Sequence, residues 1–372
     1  MATSTKHIFL EEVFEQPESV KNTIEHAPRL IDNVLEKIGN HIINNVILVG
    51  CGDPHFLSYA GKFAFQEFAK LSCASYEGLE FALYPPPNLD SKTIIIGISQ
   101  SGKTLQIIEA LKIGKSNGCP TIAMTNMPDS PITQFSDNVI ITKAGLSRSF
   151  PTKTTTCLLT LLYMLSLSLG KYLGKIDTKK FDYVNQQIKQ IPNLIQQTLS
   201  QEQKIKTLAD SMSCSTHFRY VATGPAYSAA SYGSAKIKEI VQTYSEANQL
   251  EEFIHMHAFS IQKGDPIFFI APSVKTSIRG SEIAKFSKEH LARVIAILAP
   301  GQVDYWKNEA DEVFELGPSE EIFHVFSEMV LFQLFAYYLS LAKSRNPDRP
   351  IGYDERKLQK LIYSDLLEGW FS

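Results

Sequence analysis

No two cysteines in this chain are spaced to grip a metal or to build a disulfide framework. Cys51, Cys73, Cys119, Cys157 and Cys214 are odd in number, widely separated and free of any C-x-x-C pair, which excludes a zinc knuckle and a secreted disulfide scaffold and points to a reducing, cytoplasmic setting. An excess of basic charge is missing too. Thirty-six Lys and Arg stand against thirty-nine Asp and Glu, a net charge of −3, so there is no footprint for nucleic acid and none is expected as a partner. Long apolar runs are also lacking. The greasiest, CLLTLLYMLSLSLG over 157–170, is too short and too rich in hydroxyls to cross a bilayer and reads as a buried core helix. The first residues, MATSTKHIFLEEVFEQPE, carry acids inside their short apolar run and do not form a signal peptide. No membrane partner is expected.

What the chain does have is a core. Hydrophobic residues make up 44% of its 372 positions and charged residues 20%, a globular composition of two-domain length. Short Val- and Ile-rich runs ending in small residues read as buried parallel strands: NVILVGCG, TIIIGISQSG, TIAMTN and NVIITKAG, then YVATGPA, PIFFIAPS, RVIAILAP and EVFELG. Their spacing repeats. The steps from Val46 to Ile94, Ile122 and Val139 are 48, 28 and 17 residues; those from Tyr220 to Ile267, Val294 and Val313 are 47, 27 and 19. Two series this similar predict a tandem duplication of a doubly wound, mostly parallel α/β unit with helices on both faces of each sheet. The expected layout is a helical lead-in over 1–36, a first α/β domain over 37–176, a helical connector over 177–205, a second α/β domain over 206–345 and a C-terminal tail over 346–372. The segment FHVFSEMVLFQLFAYYLSLA is apolar over much of its helical circumference, and reads equally as core of the second unit or as a dimer seam.

One stretch, GISQSGKT over 97–104, satisfies the P-loop pattern G-x-x-x-x-G-K-[ST]. A triphosphatase also needs a magnesium carboxylate at the end of another strand. The strands here end in Thr-Asn, Thr-Lys and Ala-Pro, so that reading ranks last. A strand, a hydroxyl-rich turn and a helix start still gather backbone N–H groups for an anion. Ser99, Ser101 and Thr104 add hydroxyls and Gln100 an amide, enough to hold one phosphate without a metal. The plainer alternative is helix capping by Ser and Thr. The matching turn in the second repeat, FIAPSVKT, has lost the glycine and most hydroxyls and is expected to be structural.

Taken together, these features resemble the double sugar-isomerase (SIS) family, in particular the isomerase half of glucosamine-6-phosphate synthase and the fructosamine-6-phosphate deglycases. The resemblance runs over nearly the whole chain. It rests on EEVFEQPESVKNTI, Val49-Gly50-Cys51-Gly52, SQSGKT, the Lys236-Ile237-Lys238-Glu239 helix, Glu252 and His255 in EEFIHMH, and Lys360 in ERKLQK. It implies two three-layer α/β/α domains and a homodimer. It also implies a small phosphorylated sugar or amino sugar as partner, with no cofactor and no metal. Ser99, Gln100, Ser101 and Thr104 would hold the phosphate, with Cys51, Gly52, Thr152 and Lys153 completing the substrate site. Glu239 would move a proton between C1 and C2. His255 would help open the ring, acting in the neighbouring subunit, and Lys360 would sit on a tail that closes over the sugar. Read without the family, Glu239 and Lys236 form an ordinary i,i+3 pair. His255 and His257 could be loop residues or half of a metal pair that has no evident third ligand.

This chain departs from the family pattern in four places. Lys103 replaces a Glu. Met256-His257 stands where Gly-Pro follows the histidine. LSRSFPT is short by one residue, lacks a Glu and carries Pro151. Asp53-Pro54 follows the C-G turn in place of hydroxyl residues. The phosphate end is kept and the sugar end rebuilt, which points to a substrate different from the parent one. The synthase's glutaminase domain and N-terminal cysteine nucleophile are not expected, because Met1-Ala2 leads directly into the isomerase lead-in. The expected activity is aldose–ketose isomerisation coupled to deamination or deglycation. A non-catalytic sugar-phosphate sensor is the alternative.

Overall fold

The Val- and Ile-rich runs become strands in the computed structural model of the chain, which describes residues 7–39 and 41–349. The first four are β1 (Asn45–Gly50), β3 (Thr93–Ile98), β4 (Thr121–Thr125) and β5 (Asn138–Ile141). Their counterparts are β6 (His217–Ala222), β8 (Pro266–Ala271), β9 (Arg293–Leu298) and β10 (Glu312–Glu315). Two further strands carry no such signal: β2 (Ser72–Glu77), SCASYE, and β7 (Tyr244–Gln249), YSEANQ. Each pairs with a single neighbour, giving the orders β2-β1-β3-β4-β5 and β7-β6-β8-β9-β10, all parallel. The two sheets are one topology written twice. Strands β3 and β8 are buried along their whole length, as parallel strands covered by helices on both faces must be.

Helices fill the crossovers. The chain begins with α1 (Ile8–Phe14) and α2 (Gln16–Ile38). Around the first sheet run α3 (Asp53–Phe68), α4 (Gly78–Leu83), α5 (Leu105–Ser116) and α6 (Lys153–Tyr172). Then follow α7 (Thr178–Leu199) and α8 (Glu202–Ser211). Around the second sheet run α9 (Ala226–Lys236), α10 (Leu250–His255), α11 (Val274–Glu289) and α12 (Glu321–Ala342). The segment read as a core helix at 157–170 is the body of α6, buried almost throughout.

The chain divides into two compact units. One is Glu18–Ser147 with Lys153–Lys189 and holds the first sheet. The other gathers residues 7–17, Arg148–Thr152 and residues 190–349 around the second sheet. The first helix therefore belongs with the second sheet. Asp348 caps it, its carboxylate accepting from the N–H groups of Ile8 and Phe9 at 2.8 Å each. Nearby, the Arg148 N–H donates to the buried Glu12 at 2.6 Å. The Pro151 carbonyl accepts from Tyr232 Oη at 2.9 Å, and Tyr232 Oη in turn accepts from Gln333 Nε2 at 2.8 Å.

The question posed by α12 has a physical answer. Eighteen of its residues are buried. Phe332 and Phe335 pack edge-on against Phe268, and Phe332 also against Tyr220, with ring centroids 4.9–5.9 Å apart. A fully buried Phe contributes about 1.5–3 kcal/mol, so this helix is apolar over much of its circumference because it is core to the second unit.

Candidate functional site

In the first unit, Gly50 is the register partner of Ile98. Cys51 and Ser99 thus leave neighbouring strands at the same level, where β1 and β3 lead to helices on opposite faces. Open α/β sheets bind ligands at this switch point. Six residues, Ser99–Thr104, join β3 to α5. The loop is braced internally: Ser99 Oγ lies 2.9 Å from Thr104 Oγ1 and accepts from the Gly102 N–H at 3.1 Å, and Ser101 Oγ accepts from the Lys103 N–H at 3.3 Å. The end of β4 and the chain after it brace it from outside. The Ser99 N–H donates to the Met124 carbonyl at 3.0 Å, the Gln100 carbonyl accepts from the Asn126 N–H at 3.2 Å, and the Ile132 N–H donates to the Gly102 carbonyl at 2.9 Å. Gly102 has φ +64° and lies so close to Ser130 that an added Cβ would sit 1.9 Å from its Oγ. Only glycine fits there.

Thr104 is the N-cap of α5, yet its side chain makes no capping bond, and the first turn holds no acid. The leading N–H groups of a helix have no acceptor within it. At α5 the Ile107 and Ile108 N–H groups donate to the Thr104 carbonyl at 3.1 and 3.2 Å, which leaves those of Leu105 and Gln106 beside a turn lined by hydroxyls, an arrangement that suits an anion through both hydrogen bonds and the helix dipole. Lys103 is exposed at the mouth of the loop.

The other residues expected at this end surround the same strand ends. Gly52, with φ +62°, is the N-cap of α3. The Cys51 thiol donates to Glu77 Oε1 at 3.2 Å. Burial, reinforced by that carboxylate, pushes the thiol up to about 12, so Cys51 is a protonated donor and no nucleophile. Glu77 ends β2 and caps α4, accepting from Leu79 and Glu80 N–H groups at 2.9 and 3.0 Å. Burial opposes its charge, but those two N–H groups and the Cys51 thiol outweigh burial and lower its pKa. Glu77 carries no sequence signal, because it closes an edge strand without an apolar pattern. Lys153 opens α6, is buried, and reaches toward Gly145.

In the second unit the counterpart turn is built differently. Two residues, Pro272 and Ser273, join β8 to α11. Ser273 and Thr276 form a reciprocal capping box, each side chain accepting from the other's backbone N–H. The chain itself satisfies this helix start, in keeping with the structural role expected of it.

The second unit also carries Glu239, His255 and Thr152. Glu239 lies on a π-helical turn, Ile237–Val241, that continues α9 and ends at Gln242 with φ +56°. Such turns recur at functional sites. Lys236 Nζ is 2.6 Å from Glu239 Oε2; the lysine side chain is wholly buried and the glutamate 30% exposed. This is no solvated surface pair. Lys236 also lies 4.6 Å from the Tyr232 ring centroid. His255 ends α10 and is exposed. Thr152 is fully buried, and its Oγ1 has no hydrogen-bond partner among the described residues. Thr152 and Lys153, adjacent in sequence, fall in different units. Lys360 lies outside the described residues.

Comparison with known proteins adds the lineage. Residues 43–168 and 211–343 match the SIS domain. Glutamine–fructose-6-phosphate aminotransferase (isomerizing) of Pyrococcus horikoshii is 30% identical over 352 residues, covering 93% of this chain and 56% of that protein. The enzyme of the same name from Thermococcus kodakarensis is 28% identical over 345 residues, 92% of this chain and 56% of its own. The chain thus spans about half the length of the curated relatives it matches. Among solved structures, the C-terminal domain of glucosamine-fructose-6-phosphate aminotransferase from Francisella tularensis superposes with a TM-score of 0.86 at 23% identity, covering 94% of this chain and all of that one. This is a likeness of fold.

Proposed function

The chain belongs to the SIS domain family, and on that premise we propose that it is a sugar-phosphate isomerase acting on a phosphorylated hexose or amino sugar, with isomerisation coupled to deamination or deglycation. The observation that carries this reading is the start of α5: a six-residue loop with three hydroxyls in front of a helix whose N-cap side chain makes no capping bond, beside a second copy that caps its own. Ser99, Gln100, Ser101 and Thr104 hold the phosphate there, with Cys51, Gly52, Thr152 and Lys153 toward the sugar. Glu239 takes the C–H proton from one of C1 and C2 and returns it to the other, while a hydroxyl proton crosses between O1 and O2 at the enediol stage, so the carbonyl moves by one carbon with no net redox change. Lys236 orients its carboxylate. His255 assists ring opening in the site of a neighbouring chain of a homodimer, and Lys360 closes over the sugar. The matching relatives, named as isomerizing aminotransferases of a hexose phosphate, support the substrate class.

Calorimetry with hexose, hexosamine and fructosamine phosphates tests the proposal. Binding of at least one of them, unchanged by chelator, is the expected result. Magnesium-dependent binding of ATP with none of the phosphosugars would overturn it.

A further inference from the structure

Where the family pattern places Gly-Pro after the histidine, this chain has Met256 and His257, and another device fixes the backbone that follows. His255 ends a six-residue helix and is itself exposed. Two residues later the chain makes a 3-10 turn, His257–Ser260. That turn is tied at both ends to one buried cation. Arg219, in β6 and 1% exposed, donates through Nη2 to the Ser260 carbonyl at 3.0 Å and to Ser260 Oγ at 2.8 Å. Ser260 Oγ in turn donates to the His257 carbonyl at 2.8 Å.

The same guanidinium donates through Nε to Glu246 at 2.8 Å and through Nη1 to Asp265 at 2.9 Å. Both carboxylates return to the segment after His255. Glu246 Oε2 is 3.4 Å from His257 Nδ1, and Asp265 Oδ2 accepts from the Gln262 N–H at 3.0 Å. A planar guanidinium with five fixed donors suits such a hub, and a lysine could not satisfy these acceptors together.

We propose that Arg219 and His257 are positioning residues for His255: through Ser260 and Glu246 they hold the turn that sets where the His255 imidazole stands. The inference rests on the catalytic assignment of His255 made above. The two act on turnover through His255 and on nothing else in the reaction.

The test is a double-mutant cycle in the full-length chain. Arg219→Leu would strand two carboxylates and invites misfolding, so the primary variants are His257→Ala and Ser260→Ala, each made with His255 intact and with His255→Ala. Misplacing a group by about an ångström can cost up to about a hundred-fold in rate. Each variant should therefore lower kcat about ten-fold or more, with KM little changed, when His255 is present, and less than about two-fold when it is absent. Equal losses in both backgrounds would mean a merely structural role and overturn the proposal. Side-chain relaxation of the His255 ring by NMR gives a readout independent of activity: the ring should gain fast motion in His257→Ala, and unchanged order overturns the anchor. Should His255→Ala itself leave turnover intact, the catalytic assignment falls, and the ring dynamics alone decide whether the anchor exists.

Discussion

In the first copy six residues, Ser99–Thr104, separate β3 from α5; in the second, Pro272 and Ser273 alone separate β8 from α11. The strands on either side are the same in order and direction. The contrast reverses one crossover earlier. Glu77 caps α4 with its carboxylate, whereas Gln249, in the matching position before α10, makes no side-chain cap. The copies differ again after the first strand. There α3 runs as a regular helix of 16 residues, while its counterpart α9 gives way to the π-helical turn that carries Glu239. A duplicated frame thus keeps its sheet, where every residue is constrained by neighbours on both sides, and diverges at helix starts and ends, where a change of one or two residues redirects a few N–H groups or a single side chain. In the functional reading advanced here, the first copy holds the phosphate and the second supplies the proton-moving group.

The sharpest way to break that division of labour is Glu239→Gln. It leaves the first copy untouched, so phosphosugar affinity by calorimetry should stay within about two-fold. Exchange of the C1–C2 proton in D₂O, followed by NMR, should fall by about a hundred- to ten-thousand-fold, as loss of a positioned general base does. Undiminished exchange would move the base elsewhere, and no exchange in the unmutated chain would favour a non-catalytic sensor.

A pair of glycine substitutions sharpens the comparison next. Gly102 and Gly224 both have positive φ, +64° and +60°. An added Cβ at Gly102 meets Ser130 Oγ at 1.9 Å, while at Gly224 it meets nothing within 4 Å among the described residues. Gly224→Ala should cost only the left-handed backbone penalty of about 1–2 kcal/mol. Gly102→Ala adds a clash that must displace the loop, so it should lose more stability in thermal melts and at least about ten-fold in phosphosugar affinity. Equal behaviour of the two variants would show that the 99–104 loop is not preorganised.

The caps come third. Ser273→Ala removes half of a capping box and should cost about 1 kcal/mol of stability with ligand affinity unchanged. Thr104→Ala removes no capping bond, only the 2.9 Å contact with Ser99 Oγ inside the loop, and should show a smaller loss in the melt than Ser273→Ala but weaker phosphosugar binding. A stability loss at Thr104 matching that at Ser273 would make Thr104 an ordinary cap.

Much of this was legible in the residues because burial leaves a pattern. Eight strands announced themselves as Val- and Ile-rich runs, and the repeat emerged from their spacing. The two that did not, SCASYE and YSEANQ, occupy the same place in both copies. Each is an edge strand, half-covered and so under no demand for consecutive apolar residues. The long first interval of each repeat hides a whole strand and a short helix for that reason. The phosphate-type loop was readable because glycine and hydroxyls are local. Arg219 was not, since its partners Glu246, Ser260 and Asp265 lie 27, 41 and 46 residues away. The same holds for the buried state of Lys236, which turns an apparent surface pair at i,i+3 into something else. The assignment of α1 and Arg148–Thr152 to the second unit likewise depends on contacts across more than a hundred residues, such as Asp348 with Ile8.

The smallest expected effect concerns acid. Glu77 titrates and Gln249 does not, so only the first copy has an acid-labile cap at this crossover. The Glu77 pKa is lowered in the folded chain: burial works against its charge, but the N–H groups of Glu80 and Leu79 and the Cys51 thiol prevail. A carboxylate with a depressed folded pKa stabilises the fold at pH values above its unfolded value of about 4.3, and that contribution fades as pH falls through the lower, folded value. Protonated Glu77 no longer accepts from Leu79 and Glu80 as a carboxylate, so the start of α4 should loosen while the sheet persists. A cap of this kind is worth about 1 kcal/mol, or about five-fold in local opening. Hydrogen exchange at the Leu79 and Glu80 amides, corrected for the intrinsic pH dependence, should show protection that is flat near neutrality and drops by roughly that factor below the usual glutamate range. In Glu77→Gln, which copies the second repeat, protection should start lower and show no such step. A step that survives the substitution would assign the titration to another acid and remove this difference between the copies.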